Sequence, residues 1–542
     1  MSVPSVARGP AGIVLLGLAF VLLALATRLP FRDTTLFISD SGRYAMALER
    51  YDITVGRPHP PGNPLYVGMA KGIDAVVKDP PASLALLSAL LSGVAFLFAY
   101  LLGRDVGGEP AGWLAAGILA VSPLFWFFGG IAMPSTGEAA LSLIVAWVAR
   151  RAREPHSPAA FWALTILLGL AFGYRSTFAV LVAPLWLYAG WRHPRGRLVG
   201  GAAVLAASWL GWTAIVAGLS GGLAAYRETT ASFFTDVVVG TKILGGGWGK
   251  IPHQAAAMGA SAVLGLGLFL LPFLVGLVGT IAGRPPFPGA GPFLATWALP
   301  TLVFHAVYDW APRFGVLLLA PSAILAATAA VPLARRWLEG RRPLDPTAPV
   351  GPVARAFVVA GLALNLALFL LPVRFGEWRL PDPYPSGTRL LERNVDLARR
   401  DAVLKSTVPD PASTVVLAYD DAFHVAWFLP EYRVVGLFPL FKDAADAWVP
   451  SFRDRTLSYE PGSRAVPVGD PLRLPDEVRR VVLYDPEYVA FWPVDALPLR
   501  EVLYDPASGR KLWTAELPGP GCLDFAFREL RFLPAGTAGC AP

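Results

Sequence analysis

The chain is 542 residues long, 54% hydrophobic and only 16% charged, where a soluble globular chain carries about 25% charge. With a mean hydropathy of +0.51, this composition excludes an ordinary soluble enzyme. The net charge of +7 divides unevenly: residues 1–373 hold 26 Lys and Arg against 15 Asp and Glu, and residues 374–542 hold 20 against 24.

The chain is therefore two bodies with different solvent preferences. Arg placed between apolar segments orients a membrane protein. It forms no basic stripe of the kind that binds nucleic acid, so no nucleic-acid partner is expected.

A helix needs about 20 mostly apolar residues to cross the hydrocarbon core. Residues 1–373 supply about eleven such stretches, near 12–29, 83–102, 112–128, 131–149, 160–174, 176–190, 199–219, 257–281, 292–309, 314–333 and 353–372. The first follows Arg8 as a signal peptide would, but only Thr27-Arg28-Leu29-Pro30 comes after it. That is no small-residue cleavage site, so the stretch reads as a retained first helix.

Two long loops follow, residues 30–82 and 220–256, and long ordered loops commonly carry function. The first loop contains Ser39-Asp40-Ser41-Gly42-Arg43-Tyr44, opening a short amphipathic helix predicted over 41–50. Asp40 would make a natural N-cap for that helix. Next comes Gly56-Arg57-Pro58-His59-Pro60-Pro61-Gly62-Asn63-Pro64-Leu65-Tyr66, with four prolines in seven positions. Each fixes its own φ and restrains its predecessor, so this half of the loop is stiff. His59, between two prolines, reads either as a group that orients a ligand or as a buried structural residue. The second loop contains Gly245-Gly246-Gly247-Trp248-Gly249-Lys250; its glycines make it either a lid or a plain flexible connector.

Lys and Arg stay preferentially on the cytoplasmic side. With the N-terminus inside, thirteen arginines, among them Arg104, Arg150, Arg197 and Arg335, fall in cytoplasmic segments, while the tight outer returns hold one each, Arg175 and Arg313. Both long loops and the charged tail then lie outside. The tail turns to short β-rich runs, 414–419 and 480–484, with a polar helical stretch over 386–404, which predicts a small α/β domain with a parallel or mixed sheet. Its acid pairs Asp420-Asp421 and Asp476-Glu477 read as solvated. Cys522 and Cys540 are the chain's two cysteines; no Cys-rich metal or redox motif exists, and whether the two pair is open. Arg outnumbers Lys 39 to 7 amid heavy Ala, Gly and Pro use, which points to a GC-rich bacterial genome.

Acids are scarce in the membrane body. Five of its fifteen lie in cytoplasmic loops, nine lie on or near the outer face, and Glu138 alone falls inside a transmembrane stretch, a position that is functional by default. His305, Tyr308, Asp309 and Arg313 recur at spacings of three to four, which would place them on one helix face. A plain Asp309–Arg313 surface pair is the alternative there.

The Asp-Ser-Gly element shortly after the first helix, followed about twenty residues later by His-Pro-Pro-Gly-x-Pro-Leu-Tyr, resembles the first outer loop of membrane proteins related to protein O-mannosyltransferases. These belong to the GT-C superfamily of glycosyltransferases that use polyprenyl-phosphate sugars. The resemblance continues through Ser122-Pro123-Leu124-Phe125-Trp126, Gly169-Leu170-Ala171-Phe172-Gly173-Tyr174-Arg175 and Tyr308-Asp309. It covers the first 190 residues or so well and the remainder loosely.

It implies a polyprenyl-phosphate-linked sugar donor, mannose among the candidates, and a protein, glycan or lipid acceptor on the outer face of the bilayer, with inversion at the anomeric carbon. The base would be an acid of the first outer loop, by motif position Asp40. Arg43, Arg57, His59, Arg175, His305, Tyr308, Asp309 and Arg313 are the candidate substrate-binding residues, Arg313 foremost for the donor phosphate.

Two departures stand out. Closer relatives have Asp-Ser-Gly-Glu where this chain has Arg43, and a Glu soon after Ser-Pro-x-x-Trp where it has Ala132-Met133-Pro134. Glu138 would either take that second role, pair with Arg175, or cap a broken helix. Some members of the superfamily need a divalent metal and others do not; Asp40 with Glu138 or Asp236 supplies few oxygen ligands, so metal stays open and no other cofactor is implied.

The expected architecture is a mainly α, polytopic GT-C-like domain over residues 1–373, followed by an extracytoplasmic α/β domain over 374–542, in a bacterial inner membrane. A transporter or flippase for a lipid-linked sugar, or a non-catalytic homologue, would be the alternatives. No repeat between halves favours the first of these.

Overall fold

The computed structural model describes residues 9–36, 38–154, 157–234, 251–308, 312–337, 351–371, 374–375, 378–379, 386–418, 421–442, 448–453, 465–466, 471–485, 497–507, 509–524 and 531–540. The chain divides into two compact units. The first comprises residues 1–32, 61–218 and 242–391, and the second comprises 33–60, 219–241 and 392–542. Residues 33–60 of the first long loop thus fold with the C-terminal region.

The first unit is helical. Its main elements are α1 (Pro10–Arg28), α3 (Pro64–Val77), α4 (Pro80–Val121), α5 (Pro123–Gly129), α6 (Ser135–Ala152), α7 (Pro158–Tyr174), α8 (Ser176–Gly190) and α9 (Arg195–Leu219), then α11 (Ile251–Leu266), α12 (Leu270–Ile281), α13 (Ala290–Val307), α14 (Pro312–Trp337) and α15 (Pro352–Leu370). Among the described residues six helical spans are long and apolar enough to cross a membrane, and three shorter apolar helices, 158–174, 176–190 and 355–370, accompany them.

The expected stretches 83–102 and 112–128 lie in separate helical segments, because α4 breaks between them where Gly108 takes φ 80° beside Pro110, which lacks an amide donor. Outward-facing apolar side chains such as Val199, Leu210 and Leu219 on α9 are exposed in the protein alone, the pattern of a lipid-facing helix.

Arg28 ends α1 fully buried. It donates to the Ala120 carbonyl at 2.7 Å and lies 4.7 Å from the Trp126 ring, while the Trp126 indole donates to the Thr27 carbonyl at 2.9 Å. Ser122 caps α5 by accepting from the Phe125 amide, so the Ser-Pro-x-x-Trp run locks the end of α1 against α5.

The second unit holds α2 (Ser39–Glu49), α10 (Leu223–Phe233) and most of α16 (Gly387–Thr407), with α17 (Ala422–Phe428). Two-residue strands β1 (Arg374–Phe375) and β2 (Trp378–Arg379) lie between α15 and α16 in the first unit. The strands of the second unit are β3 (Thr414–Ala418), β4 (Arg433–Lys442), β5 (Trp448–Arg453), β6 (Ala465–Val466), β7 (Leu472–Arg473), β8 (Arg480–Leu483), β9 (Arg500–Asp505), β10 (Arg510–Glu516), β11 (Gly521–Asp524) and β12 (Arg531–Pro534).

A seven-stranded sheet runs β6-β5-β4-β3-β8-β10-β9. β3 is parallel to both its neighbours, and the other pairings are antiparallel. The sheet is therefore mixed. Every residue of β3 is buried, as its unbroken apolar run requires of a central strand covered on both faces. Leu397 and Leu404 of α16 pack with Val416 and Val482 on one face, and Val415 and Val481 join Trp513 on the other. β12-β11-β7 form a separate antiparallel sheet, and a disulfide joins Cys522 to Cys540.

Asp421 corrects one expectation. It is not solvated but wholly buried, gripped by Arg393 at 2.5 Å and Arg400 at 3.0 Å. Asp420 lies outside the described residues, whereas Asp476 and Glu477 are exposed. Arg400, 1% exposed, also meets Asp396 at 2.6 Å. Burial alone would raise the Asp421 carboxyl, but the Arg393 and Arg400 guanidiniums outweigh it and hold it well below the usual carboxylate range.

Asp421→Asn should therefore destabilise the second unit by about 3–5 kcal/mol, because it strands buried guanidinium charge. Loss of amide-exchange protection in β3 is the measurement. Since folding lowers the Asp421 pKa, its stabilisation is present above the unfolded value of about 3.9 and is lost as pH falls through the folded value. β3 protection in the parent should hold from pH 7 to about 5 and collapse at lower pH, whereas the variant should lose that acid-sensitive step.

Candidate active site

In the second unit, Asp40 lies in the first turn of α2, whose N-cap is Ile38. The capping role expected of Asp40 is thus corrected, because the N-cap position belongs to Ile38 and Asp40 lies inside the first turn. Its Oδ1 stands 3.5 Å from His59 Nδ1, and both side chains are 17% exposed. The His59 ring lies between Phe233 of α10, stacked at 6.1 Å, and Tyr44 of α2, edge-on at 5.9 Å.

The stiff segment sets this up. Asp52 accepts from the Thr54 amide and hydroxyl, the Asp52 and Arg57 backbones bond reciprocally, and Gly56 takes φ 74°, a left-handed turn that glycine enters without strain. The Ile53 amide donates to Ser220 Oγ at 3.2 Å, tying the segment to the second long loop. Arg43 and Arg57 are both half-buried here, with the Arg43 guanidinium 4.6 Å from the Phe423 ring.

In the first unit, Glu138 is buried in the first turn of α6 and pairs with Arg175 at 2.7 Å. Of the roles open to it, ion pairing with Arg175 is the one observed. Arg175 precedes α8, and the turn that presents it is held by the second half of the His-Pro-Pro-Gly string. Asn63 donates to the Tyr174 carbonyl at 3.0 Å, Tyr66 packs edge-on to Tyr174 at 5.6 Å, and the Tyr174 hydroxyl donates to the Pro134 carbonyl.

His305, Tyr308 and Arg313 do not share one helix face. α13 ends at Val307 with Tyr308 as its C-cap, Asp309 lies outside the described residues, and Arg313 belongs to α14. His305 and Arg313 are gathered instead by Phe314, a residue that sequence reasoning missed. Its ring stacks on buried His305 at 3.9 Å, with the Arg313 guanidinium at 5.0 Å and that of Arg175 at 5.8 Å. Tyr308 stacks on Phe304 at 4.9 Å. The only sequence cue to Phe314 was its place beside Arg313.

Phe314 also adjoins Gly315, which lines an almost wholly apolar cavity of about 680 Å³ with Ser261, Phe273, Leu294 and Leu319. Such a cavity accepts a hydrocarbon chain and offers polar groups little. Among the described residues no three His, Cys, Asp or Glu side chains are gathered to hold a metal ion; Asp236 and the glycine-rich segment with Lys242 and Lys250 lie outside them.

A polytopic membrane protein with these charges gathered beside apolar space invites comparison with known folds. Residues 59–220 match the family model of dolichyl-phosphate-mannose-protein mannosyltransferases. The match begins at His59, so it takes in the His-Pro-Pro-Gly string and Arg175 but leaves Asp40 outside.

The structure matches ArnT from Cupriavidus metallidurans in the apo state with a TM-score of 0.52 at 15% identity, over 93% of this chain and 98% of that one. The same protein bound to undecaprenyl phosphate matches with a TM-score of 0.47 at 15% identity, over 80% and 94%. The archaeal oligosaccharyltransferase AglB from Archaeoglobus fulgidus, in complex with an inhibitory peptide and a dolichol-phosphate, matches at 0.43 and 14% identity, over 76% and 63%. No protein of curated function matches the sequence. The chain is an integral membrane protein of mainly α architecture with the GT-C-like fold of apo ArnT.

The Glu138–Arg175 pair is asymmetric in burial, with side-chain exposures of 4% and 20%. Arg175→Ala, which strands a buried carboxylate and removes the contact to Phe314, should lower the melting temperature of the purified protein more than Glu138→Ala, which leaves an Arg able to reach water.

Proposed function

We propose that this protein is a membrane glycosyltransferase of the GT-C type that moves a sugar from a polyprenyl-phosphate carrier to an acceptor on the extracytoplasmic face, with Asp40 as general base. The observation that carries the reading is Asp40 itself. It is a mostly buried carboxylate in a helix's first turn, beside His59, at the margin of the segment that matches a family acting on dolichyl-phosphate mannose.

The acceptor hydroxyl gives its proton to the Asp40 carboxylate as its oxygen bonds the anomeric carbon. The bond from that carbon to the phosphate oxygen breaks, and polyprenyl phosphate leaves with its electron pair. Single displacement of this kind inverts the anomeric centre. A base in hydrogen-bond reach contributes about 10²–10⁴-fold. His59, held between Phe233 and Tyr44, orients the carboxylate or the acceptor.

Arg313 and Arg175, both drawn to Phe314, are the cations assigned to the leaving phosphate, where charge develops. Arg43 and Arg57 serve the acceptor, and His305 and Tyr308 support the Phe314 cluster. The apolar cavity beside Gly315 suits an isoprenoid chain. Mannose is the first sugar to try. The bacterial inner membrane, with residues 374–542 outside, is the location this reading requires.

The test uses full-length protein in nanodiscs, polyprenyl-phosphate [¹⁴C]mannose as donor and a cell-envelope extract as acceptor, scored as label leaving the polyprenyl fraction. Asp40→Asn should cut transfer about 10²–10⁴-fold while leaving the melting temperature and donor KM close to parental. A folded variant that transfers at the parental rate would sink the base assignment.

A further inference from the structure

We infer that α17, in the C-terminal region, is the positioning element for the Asp40 helix, acting through Phe423 and His424; the catalytic part of this inference rests on the glycosyltransferase reading above. These two adjacent residues hold α2 on either side of Asp40. Two residues after Asp40, Gly42 lies so close to Phe423 that a Cβ at Gly42 would stand 2.4 Å from the Phe423 Cβ, a separation real Cβ atoms do not adopt. Arg43 then lays its guanidinium 4.6 Å from the Phe423 ring centre. Five residues before Asp40, the His424 Nδ1–H donates to the Thr35 carbonyl. Gly42 is therefore a contact surface for α17, and the turn before α2 is tethered to the next residue of that helix.

His424 is itself fixed. It is 1% exposed, its Nε2 lies 3.0 Å from the Asp401 carboxylate, and the Tyr484 hydroxyl donates to the same carboxylate at 2.6 Å. Asn394 of α16 braces the turn as well, accepting from the Thr34 amide at 3.0 Å and the Thr35 hydroxyl at 3.3 Å. Asp33, wholly buried, closes the turn by accepting from the Thr35 and Leu36 amides.

At the start of α17, Asp421 is its N-cap yet makes no side-chain cap bond. Its carboxylate is instead spent on Arg393 and Arg400, which root α17 in the sheet. The line of contact thus runs from the Arg400 cluster through α17 to the residues that flank Asp40. Phe423 and His424 are positioning residues, since neither touches the reacting atoms.

Two measurements on the full-length protein in nanodiscs test this. The first needs no substrate: amide hydrogen exchange across residues 39–49. His424→Ala and Gly42→Ala should each speed exchange there at least tenfold while the amides of α4 and α6 stay parental. Unchanged exchange across 39–49 in both variants overturns the inference, and Gly42→Ala stands in if His424→Ala fails to fold.

The second is a double-mutant cycle in the [¹⁴C]mannose transfer assay. His424→Ala should lower kcat at least tenfold with donor KM unchanged, His424→Gln should recover part of it, and His424→Ala combined with Asp40→Asn should be no slower than Asp40→Asn alone. Losses that multiply would show that His424 acts elsewhere than through Asp40 and would overturn the positioning role. If Asp40→Asn is as active as the parent while exchange across 39–49 still responds to His424→Ala, the base assignment fails and the clamp stands.

Discussion

Asp421 sits wholly out of water between two guanidiniums, and much of the second unit depends on that arrangement. A buried carboxylate is tolerable only when its charge is matched and its lone pairs are occupied. Arg400 supplies the match while also meeting Asp396 and Asp485 and donating to the Tyr484 carbonyl. Four segments distant in sequence, the α16 helix, the start of α17, the residues after β8 and, through Arg510 on Asp396, strand β10, are therefore fixed to one point. Apolar packing on the two faces of the sheet sets how close these segments come, but the charges set their register, because a one-residue shift of α16 would leave a guanidinium facing hydrocarbon.

The first unit uses the same constraint more sparingly. Its buried charges are held in smaller groups, as Glu138 with Arg175 and Arg28 with a carbonyl and two aromatic rings. Phe314 shows how an aromatic ring substitutes for a carboxylate where one would be costly. Its face attracts two arginines through the ring quadrupole and adds no countercharge of its own.

Much of the fold was legible in the sequence because it rests on continuous local patterns. The apolar stretches, the β3 and β8 runs and the polar helix before β3 all follow from composition and periodicity over ten to twenty residues. The failures have a common physical origin. Asp421 was misread because its partners lie far from it in sequence, and an acid pair in a polar stretch looks the same whether solvated or paired. Arg313 was grouped on one helix face with His305, Tyr308 and Asp309 by spacing alone, although Pro312, at the first position of α14, is the cue that Arg313 belongs to a new helix. Phe314 left no signal beyond its place beside Arg313, since one more aromatic in a membrane segment is the default. The partnership of Glu138 with Arg175 was among the readings because scarcity made both conspicuous.

The grouping of residues 33–60 with the C-terminal region bears on how the short helix that carries Asp40 is held. A general base works only within hydrogen-bond reach, and misplacement by about 1 Å can cost on the order of 10²-fold. A loop joining two lipid-embedded helices inherits their sliding and tilting, and an eleven-residue helix such as α2 has too few turns to be rigid alone. Packing it against α17, which is rooted by buried charge in a sheet, exchanges that mobility for the stiffness of a close-packed interior. By this argument the glycine at position 42 and the bulk of Phe423 form one device, since each is explained only by the other's proximity.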